Sequence, residues 1–254
     1  MRSSNFSSNL SSNFCWKFAS KYLWQVALLG GLVAFTPALA LAAERPVVVE
    51  LFTSQGCSSC PPANAFLNEL SKQPSDVLAL AFHVTYWDYL GWKDPFSLPV
   101  ATDRQAQYGR RFGDGSYTPE IMVDGAAGLV GSYRDEVNSA IARARAQSVT
   151  AAEISLVARD GKASIDIGAG KGAARVMLVG FDREHVTAIG RGENRGRTMA
   201  EANIVRSFRP IGQWNGAPVH IEQPLPDGEQ VAVILQSADG HIVGASRVSA
   251  RGAS

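Results

Sequence analysis

The feature that most constrains this chain is a pair of cysteines, Cys57 and Cys60, in the sequence Cys-Ser-Ser-Cys. The pair follows an apolar, β-branched run from Val47 to Phe52 and precedes two prolines, Pro61-Pro62. Proline has no N–H to donate, so within a helix these prolines fit only at its first turn. The pattern therefore predicts a buried strand, a short loop that holds both thiols, and a helix. A helix N-terminus favours a thiolate, so we expect Cys57 to be reactive and partly exposed.

The first 43 residues have the composition of a secretory signal. Basic residues (Arg2, Lys17 and Lys21) precede an apolar run over 23–35, and small residues over 38–43 offer cleavage sites. The apolar run is too short for a comfortable membrane span. We therefore expect a secreted or periplasmic protein with a cleaved signal, and an uncleaved anchor is the alternative.

Export narrows what the cysteines can do. The third cysteine, Cys15, lies inside the signal, so the exported chain would keep two that stand close together. Such a pair is a structural disulfide, a redox couple or a metal site. A loop of only four residues removes little entropy from the unfolded chain, which makes a purely stabilising role the weakest on energetic grounds. The formal net charge of +1 gives no indication of a nucleic-acid partner.

Alternating strand and helix patterns follow the cysteines. Apolar residues at helical spacing over 63–70 predict a helix, and the continuous apolar run from Val77 to Val84 predicts a parallel neighbouring strand. A helix over 99–112 comes next, then two strands joined by an Asp124-Gly125 turn, then a helix with its apolar face over 137–144. The predicted order is β-α-β-α-β-β-α.

The pattern of apolar and polar residues changes near residue 151. Short runs of alternating polarity, separated by Asp-Gly turns, indicate antiparallel hairpins and a small β-sandwich. We therefore predict a signal over 1–43, an α/β domain over 44–150 and an antiparallel β domain over 151–254.

This order of elements, with Cys-X-X-Cys after the first strand and Thr118-Pro119 before the third, resembles the thioredoxin-like superfamily over residues 46–147. The string Val-Val-Val-Glu-Leu-Phe-Thr-Ser-Gln-Gly-Cys-Ser-Ser-Cys-Pro-Pro, with His-Val-Thr-Tyr-Trp-Asp downstream, is similar to a family of secreted thioredoxin-fold proteins of unknown function with a C-terminal β extension. The resemblance implies a thioredoxin-like fold followed by an antiparallel β-sandwich-like region, with Pro119 in cis beside the cysteines. Gly56 replaces the aromatic residue usual before the first cysteine, so no redox potential is carried over.

Four residues form the predicted reaction centre: Cys57, Cys60, Glu50 and Pro119, the last of which shapes the substrate edge. Cys57 would attack a substrate disulfide, and Cys60 would resolve the mixed disulfide. Glu50 lies in the apolar strand, where burial would raise the pKa of a carboxyl toward the range that a proton acceptor needs. The resemblance agrees, because some thioredoxin-fold oxidoreductases hold an acidic residue near this point. A solvent-facing Glu50 is the alternative.

Substrate binding is predicted beside the sulfur atoms. Thr118 and Pro119 would present their backbone to an extended substrate, and a plain turn is the alternative. Aromatic residues follow the second strand and either line a substrate groove or pin a loop: Tyr86, Trp87, Tyr89 and Trp92.

The sequence therefore predicts an exported thiol-disulfide oxidoreductase that needs no cofactor. Its substrates would be protein or small-thiol disulfides. An oxidising compartment favours oxidase or isomerase activity unless a membrane redox partner keeps the pair reduced. Two alternatives remain. One is a copper-handling or other metal-binding module that uses Cys57, Cys60 and His83 as ligands. The other is a binding protein that keeps an inert disulfide.

Overall fold

The computed structural model describes residues 45–72, 77–147 and 150–249. The predicted signal over 1–43 lies outside these residues. The described residues belong to one compact unit. Among them, no helix combines the length and the apolar character needed to cross a bilayer.

Strands and helices alternate in the first half of the described chain, and strands alone make up the second half. The helical elements of the described residues are α1 (Pro61–Leu70), a single 3-10 turn (Thr85–Trp87), α2 (Pro99–Phe112) and α3 (Arg134–Gln147). The strands are β1 (Val47–Thr53), β2 (Val77–His83), β3 (Glu120–Val123), β4 (Ala127–Val130), β5 (Ile154–Arg159), β6 (Lys162–Ile167), β7 (Ala174–Ala188), β8 (Thr198–Trp214), β9 (Val219–Pro224), β10 (Gln230–Gln236) and β11 (Ile242–Ser249).

A mixed sheet of eight strands organises the molecule, in the order β11-β10-β7-β8-β2-β1-β3-β4. β1 lies between β2, to which it is parallel, and β3, to which it is antiparallel. β8 adds to the free edge of β2 in the parallel direction, and β7, β10 and β11 continue the sheet with antiparallel pairing. A second sheet of three antiparallel strands has the order β5-β6-β9.

The predicted fold class, a thioredoxin-like α/β fold followed by a β-sandwich-like region, is wrong. Strands from both halves of the chain share the large sheet, because β8 pairs with β2 instead of closing a separate sandwich. β7 and β8 are 15 and 17 residues long and contain register shifts, whereas the sequence pattern indicated short strands. Alternation of polarity shows which face of a strand is buried and says nothing about its partner. The predicted domain bounds, 44–150 and 151–254, stay a prediction.

The position of β1 explains why its end can hold a functional loop. Val48 and Phe52 face a core shared with α2, whereas Val49 and Leu51 face a core shared with α1 and α3. The strand is therefore buried on both faces, which suits its continuous apolar sequence. The loop that follows is anchored between this strand and α1.

Candidate functional site

Cys57 and Cys60 form a disulfide at the start of α1, with their Cα atoms 5.4 Å apart. Cys60 is the N-cap residue of the helix, and its carbonyl accepts hydrogen bonds from the N–H groups of Ala63 and Asn64, both at 3.0 Å. Both cysteines are 0% exposed. The expectation that Cys57 is partly exposed is therefore wrong.

The predicted substrate segment lies against the disulfide loop. The Thr118–Pro119 peptide bond is cis. The Ser59 hydroxyl donates to the Thr118 carbonyl at 3.4 Å and lies 3.3 Å from Cys57 Sγ. The Trp87 indole N–H donates to Thr118 Oγ1 at 2.9 Å. The structure thus brings these residues together, and their substrate-binding role stays a prediction.

A loop from the second half of the chain covers the disulfide. It spans residues 189–197 between β7 and β8, and we call it the β7–β8 loop. The Asn194 side-chain amide donates to the carbonyls of Gln55, at 2.9 Å, and Cys57, at 2.8 Å. The Glu193 carboxylate accepts from the Ser58 N–H at 3.2 Å. Asn194 is fully buried, so this loop helps to explain why the sulfur atoms are shielded from solvent.

Beneath the disulfide lies a cluster of buried polar side chains that we call the polar layer. Its members are Thr53, Gln55, Asn64, His83, Asp94 and Glu201. The Glu201 carboxylate accepts from Gln55 Nε2 at 2.7 Å and from Asn64 Nδ2 at 2.8 Å. Thr53 completes the chain by donating to Asn64 Oδ1 at 2.9 Å. One carboxylate therefore holds the two amide side chains that flank the cysteines in sequence.

His83 supplies a second charge to the polar layer. Its Nδ1 lies 2.7 Å from Asp94 Oδ2, and its Nε2 lies 3.9 Å from Glu201 Oε1 without a hydrogen-bond partner among the described residues. Burial by itself lowers the pKa of His83, but the carboxylates of Asp94 and Glu201 raise it to about 9. Burial also raises the pKa of Glu201, against the opposing effects of His83 and Gln55. The polar layer thus contains groups that can exchange protons.

Glu50 lies on the other face of β1. Its carboxylate accepts from Arg104 Nε at 2.5 Å and Nη2 at 2.9 Å, and from the Tyr108 hydroxyl at 2.7 Å. Glu50 is fully buried, which excludes the solvent-facing alternative, and Arg104 is 4% exposed. Its predicted role as the proton acceptor of Cys60 stays a prediction.

The metal alternative receives no support from the part of the chain that the structure describes. The His83 ring already bonds to Asp94. Within the described ranges, no group of three or more His, Cys, Asp or Glu side chains is arranged to hold a metal ion.

The sequence analysis did not identify most of the polar layer or any residue of the β7–β8 loop that covers the disulfide. Gln55 and Asn64 stand beside the cysteines, but nothing in their local pattern marks them as partners. Glu201 and Asn194 are separated by 146 and 139 positions from Gln55, which both contact. No local signal connects residues so far apart; an alignment with paired changes would be needed to find them.

The geometry defines a class of protein in which a buried CxxC disulfide sits on a polar layer at the end of a mixed sheet. The chain belongs to a family described as a protein of unknown function (DUF1223), which matches residues 48–236. The predicted membership of a family of unknown function is thereby confirmed.

Solved structures are similar to this chain, and two of them match most of its length. One is the crystal structure of a protein from Agrobacterium tumefaciens, with 32% identity over 82% of this chain and 96% of that chain, and a TM-score of 0.72. The other, HBP35 of Porphyromonas gingivalis, has 16% identity over 81% of this chain and 75% of that chain, with a TM-score of 0.57, and shows the fold alone. The comparison with curated proteins gave no match.

Proposed function

We propose that this protein is an exported thiol-disulfide oxidoreductase that uses Cys57 and Cys60. The observation that carries the proposal is the polar layer beneath a very short disulfide loop. A bridge across three sequence positions is a weak constraint on the unfolded chain. Burying ionisable side chains such as His83, Asp94 and Glu201 is costly even when they are paired, and His83 Nε2 has no hydrogen-bond partner among the described residues. This combination favours chemistry at the sulfur atoms over a purely stabilising role.

In the oxidising direction, a substrate thiolate attacks Cys57 Sγ and the Cys57–Cys60 bond breaks. Cys60 leaves as a thiolate and takes up a proton. A second substrate thiolate then attacks the mixed disulfide, releasing Cys57 as a thiolate. The substrate loses two electrons and the cysteine pair gains them. Reduction runs through the same steps in reverse, with Cys57 attacking and Cys60 resolving.

Two buried carboxylates are candidates for the proton partner of Cys60. Glu50, predicted from the sequence, is paired with the Arg104 guanidinium. Glu201 is bound by neutral amides, and one of these belongs to Asn64, whose backbone N–H donates to the Cys60 carbonyl. Because the hydrogen-bond partners of Glu201 in the described part of the chain carry no permanent charge, we propose that Glu201 positions and protonates this end of the pair.

A substrate can reach the disulfide only if the β7–β8 loop moves away from it. We propose that a substrate displaces the contact between Glu193 and Ser58, at the exposed edge of the cover, and lies along Thr118 and Pro119 beside Trp87. Contact between Ser59 and the Thr118 carbonyl supports this route, because it places the segment next to Cys57. The resemblance to thioredoxin-like proteins contributes the exchange chemistry alone. Export through the 1–43 signal, and a membrane partner that would keep the pair reduced, belong to the same proposal.

A trapping experiment tests the function. In Cys60→Ala, Cys57 has no resolving partner, so we expect a stable mixed disulfide with glutathione, detected as a mass increase on the intact protein. The matched variant, Cys57→Ala, keeps Cys60 at the helix start and should form far less adduct. The wild-type chain should exchange between oxidised and reduced forms in glutathione buffers. A bond that stays closed at every glutathione ratio met outside the cytosol would refute the proposal.

Complete burial of both cysteines favours a second candidate, a binding protein with an inert disulfide. In that case the glutathione buffers leave the wild-type bond intact, and neither single variant forms an adduct while folded. The same experiment therefore separates the two functions.

A further inference from the structure

A cavity of about 500 Å³ opens on the side of α2 that faces β7 and the β10–β11 turn. Arg104 and Tyr108 contribute to its lining, as do Arg111 of α2 and Arg175 of β7. Cavities of this volume are typical of small-molecule sites. The cavity shares Arg104 with the Glu50 network and contains no residue of the polar layer.

The charges that line this cavity are unbalanced. Arg104 is neutralised by Glu50. Among the described lining residues, Asp239 is the only acidic one, and it bonds to Ser237 and lies 2.9 Å from His241. The carboxylates of Glu50 and Asp239 are therefore already paired with other side chains.

Two guanidinium groups at the cavity, those of Arg111 and Arg175, form no ion pair with a carboxylate of the described residues. Arg111 donates to the Gly125 carbonyl and lies 3.3 Å from the His241 ring, but it has no ion pair with a described residue. The Arg175 side chain makes no hydrogen bond or ion pair with any residue of the described ranges. Arginine binds carboxylates and phosphates through paired hydrogen bonds. Arg111 and Arg175, neither of which pairs with a carboxylate of the described residues, would therefore be matched by two negative charges.

We propose that this cavity binds a small organic dianion, with Arg111 and Arg175 as its principal contacts. The volume exceeds what an inorganic ion fills, so the ligand needs an organic body as well as its charges. Gln107 and Gln213 also line the cavity and supply neutral donors and acceptors for that body. A dicarboxylate and a phosphate monoester share this chemistry. The site is independent of the proposed redox function.

Isothermal titration calorimetry on the full chain tests the site, with glutarate, glycerol phosphate and inorganic phosphate as probes at constant ionic strength. We expect saturable binding of glutarate or glycerol phosphate, and the one that binds identifies the anionic group. Arg175→Gln should raise the dissociation constant about tenfold or more, because it removes charge-assisted hydrogen bonds. Arg175→Lys should retain part of the affinity.

Arg159→Gln is the matched control, because Arg159 is an exposed arginine on β5 that does not line the cavity. We expect it to leave the dissociation constant unchanged. Three results would overturn the proposal: no saturable binding of either organic dianion, equal weakening by the Arg159 and Arg175 variants, or inorganic phosphate binding as tightly as the organic probes. Arg111→Gln is a weaker test, because Arg111 also holds the Gly125 carbonyl.

Discussion

Two buried ionic networks lie on opposite faces of β1 and are compensated in different ways. On the α2 face, Glu50 meets the guanidinium of Arg104, which stays charged at every accessible pH. On the α1 face, the hydrogen-bond partners of Glu201 among the described residues are the neutral amides of Gln55 and Asn64, and the nearby cation is His83. The first network is electrostatically fixed, whereas the second can change its protonation. The second one lies beneath the disulfide.

The largest effect is expected from the fixed network. Arg104→Met should lower the free energy of unfolding by about 3–5 kcal/mol, because it leaves the Glu50 carboxylate buried without its partner. Urea denaturation measures the change. Adding Glu50→Gln to Arg104→Met should recover part of the loss. Arg134→Met, which breaks an exposed pair with Glu69, is the control and should change stability little. A loss no larger than that of the control would contradict the description of a fixed pair.

The second prediction concerns the network that can titrate. His83 has a pKa of about 9 in the folded protein, against an ordinary histidine value of 6.5. A raised pKa means that the folded state holds the proton more tightly, so the stability that His83 contributes is present below pH 6.5 and disappears as pH rises through about 9. The loss should be on the order of 3 kcal/mol.

Unfolding free energies measured across this pH range check the prediction. His83→Gln should flatten the profile, whereas His220→Gln, at an exposed position on β9, should leave it unchanged. A wild-type profile that is already flat would show that the imidazole is not held as a cation by Asp94 and Glu201.

Exchange kinetics sharpen the comparison between the two carboxylates. If Glu201 protonates Cys60, Glu201→Gln should slow reduction of the disulfide by dithiothreitol about tenfold or more and remove the corresponding limb of its pH profile. Glu50→Gln should change stability but keep the shape of that profile. If Glu50→Gln alters the profile and Glu201→Gln does not, the proton role belongs to Glu50, as the sequence predicts.

The smallest change in rate is expected from a substitution in the β7–β8 loop. Asn194→Ala removes two hydrogen bonds to the carbonyls of Gln55 and Cys57, so the loop should open more often. We expect the rate of disulfide reduction to rise about three- to tenfold. Glu184→Ala, an exposed carboxylate on β7, provides the control. An unchanged rate in Asn194→Ala would mean that the β7–β8 loop does not limit access.

Local elements were predictable because local patterns encode them. The prolines at 61–62 and the apolar spacing over 63–70 place α1, and the continuous run from Val77 marks β2. Pairing of β8 with β2 joins Ala81 to Ile204, and no periodicity within either segment specifies that contact. The burial of Cys57 could not be predicted from the sequence for the same reason, because Asn194, which contacts it, lies 137 positions away.

This separation in sequence has a consequence for how the protein matures. A chain that emerges amino end first presents its cysteine pair well before the residues that will enclose it have been made. During that interval the thiols are open to any oxidant in the compartment, and the bond can be set without help from the finished fold. Once β7 and β8 have folded, the β7–β8 loop covers the disulfide. The redox state that the cysteines reach before folding is complete would therefore persist until the β7–β8 loop is displaced.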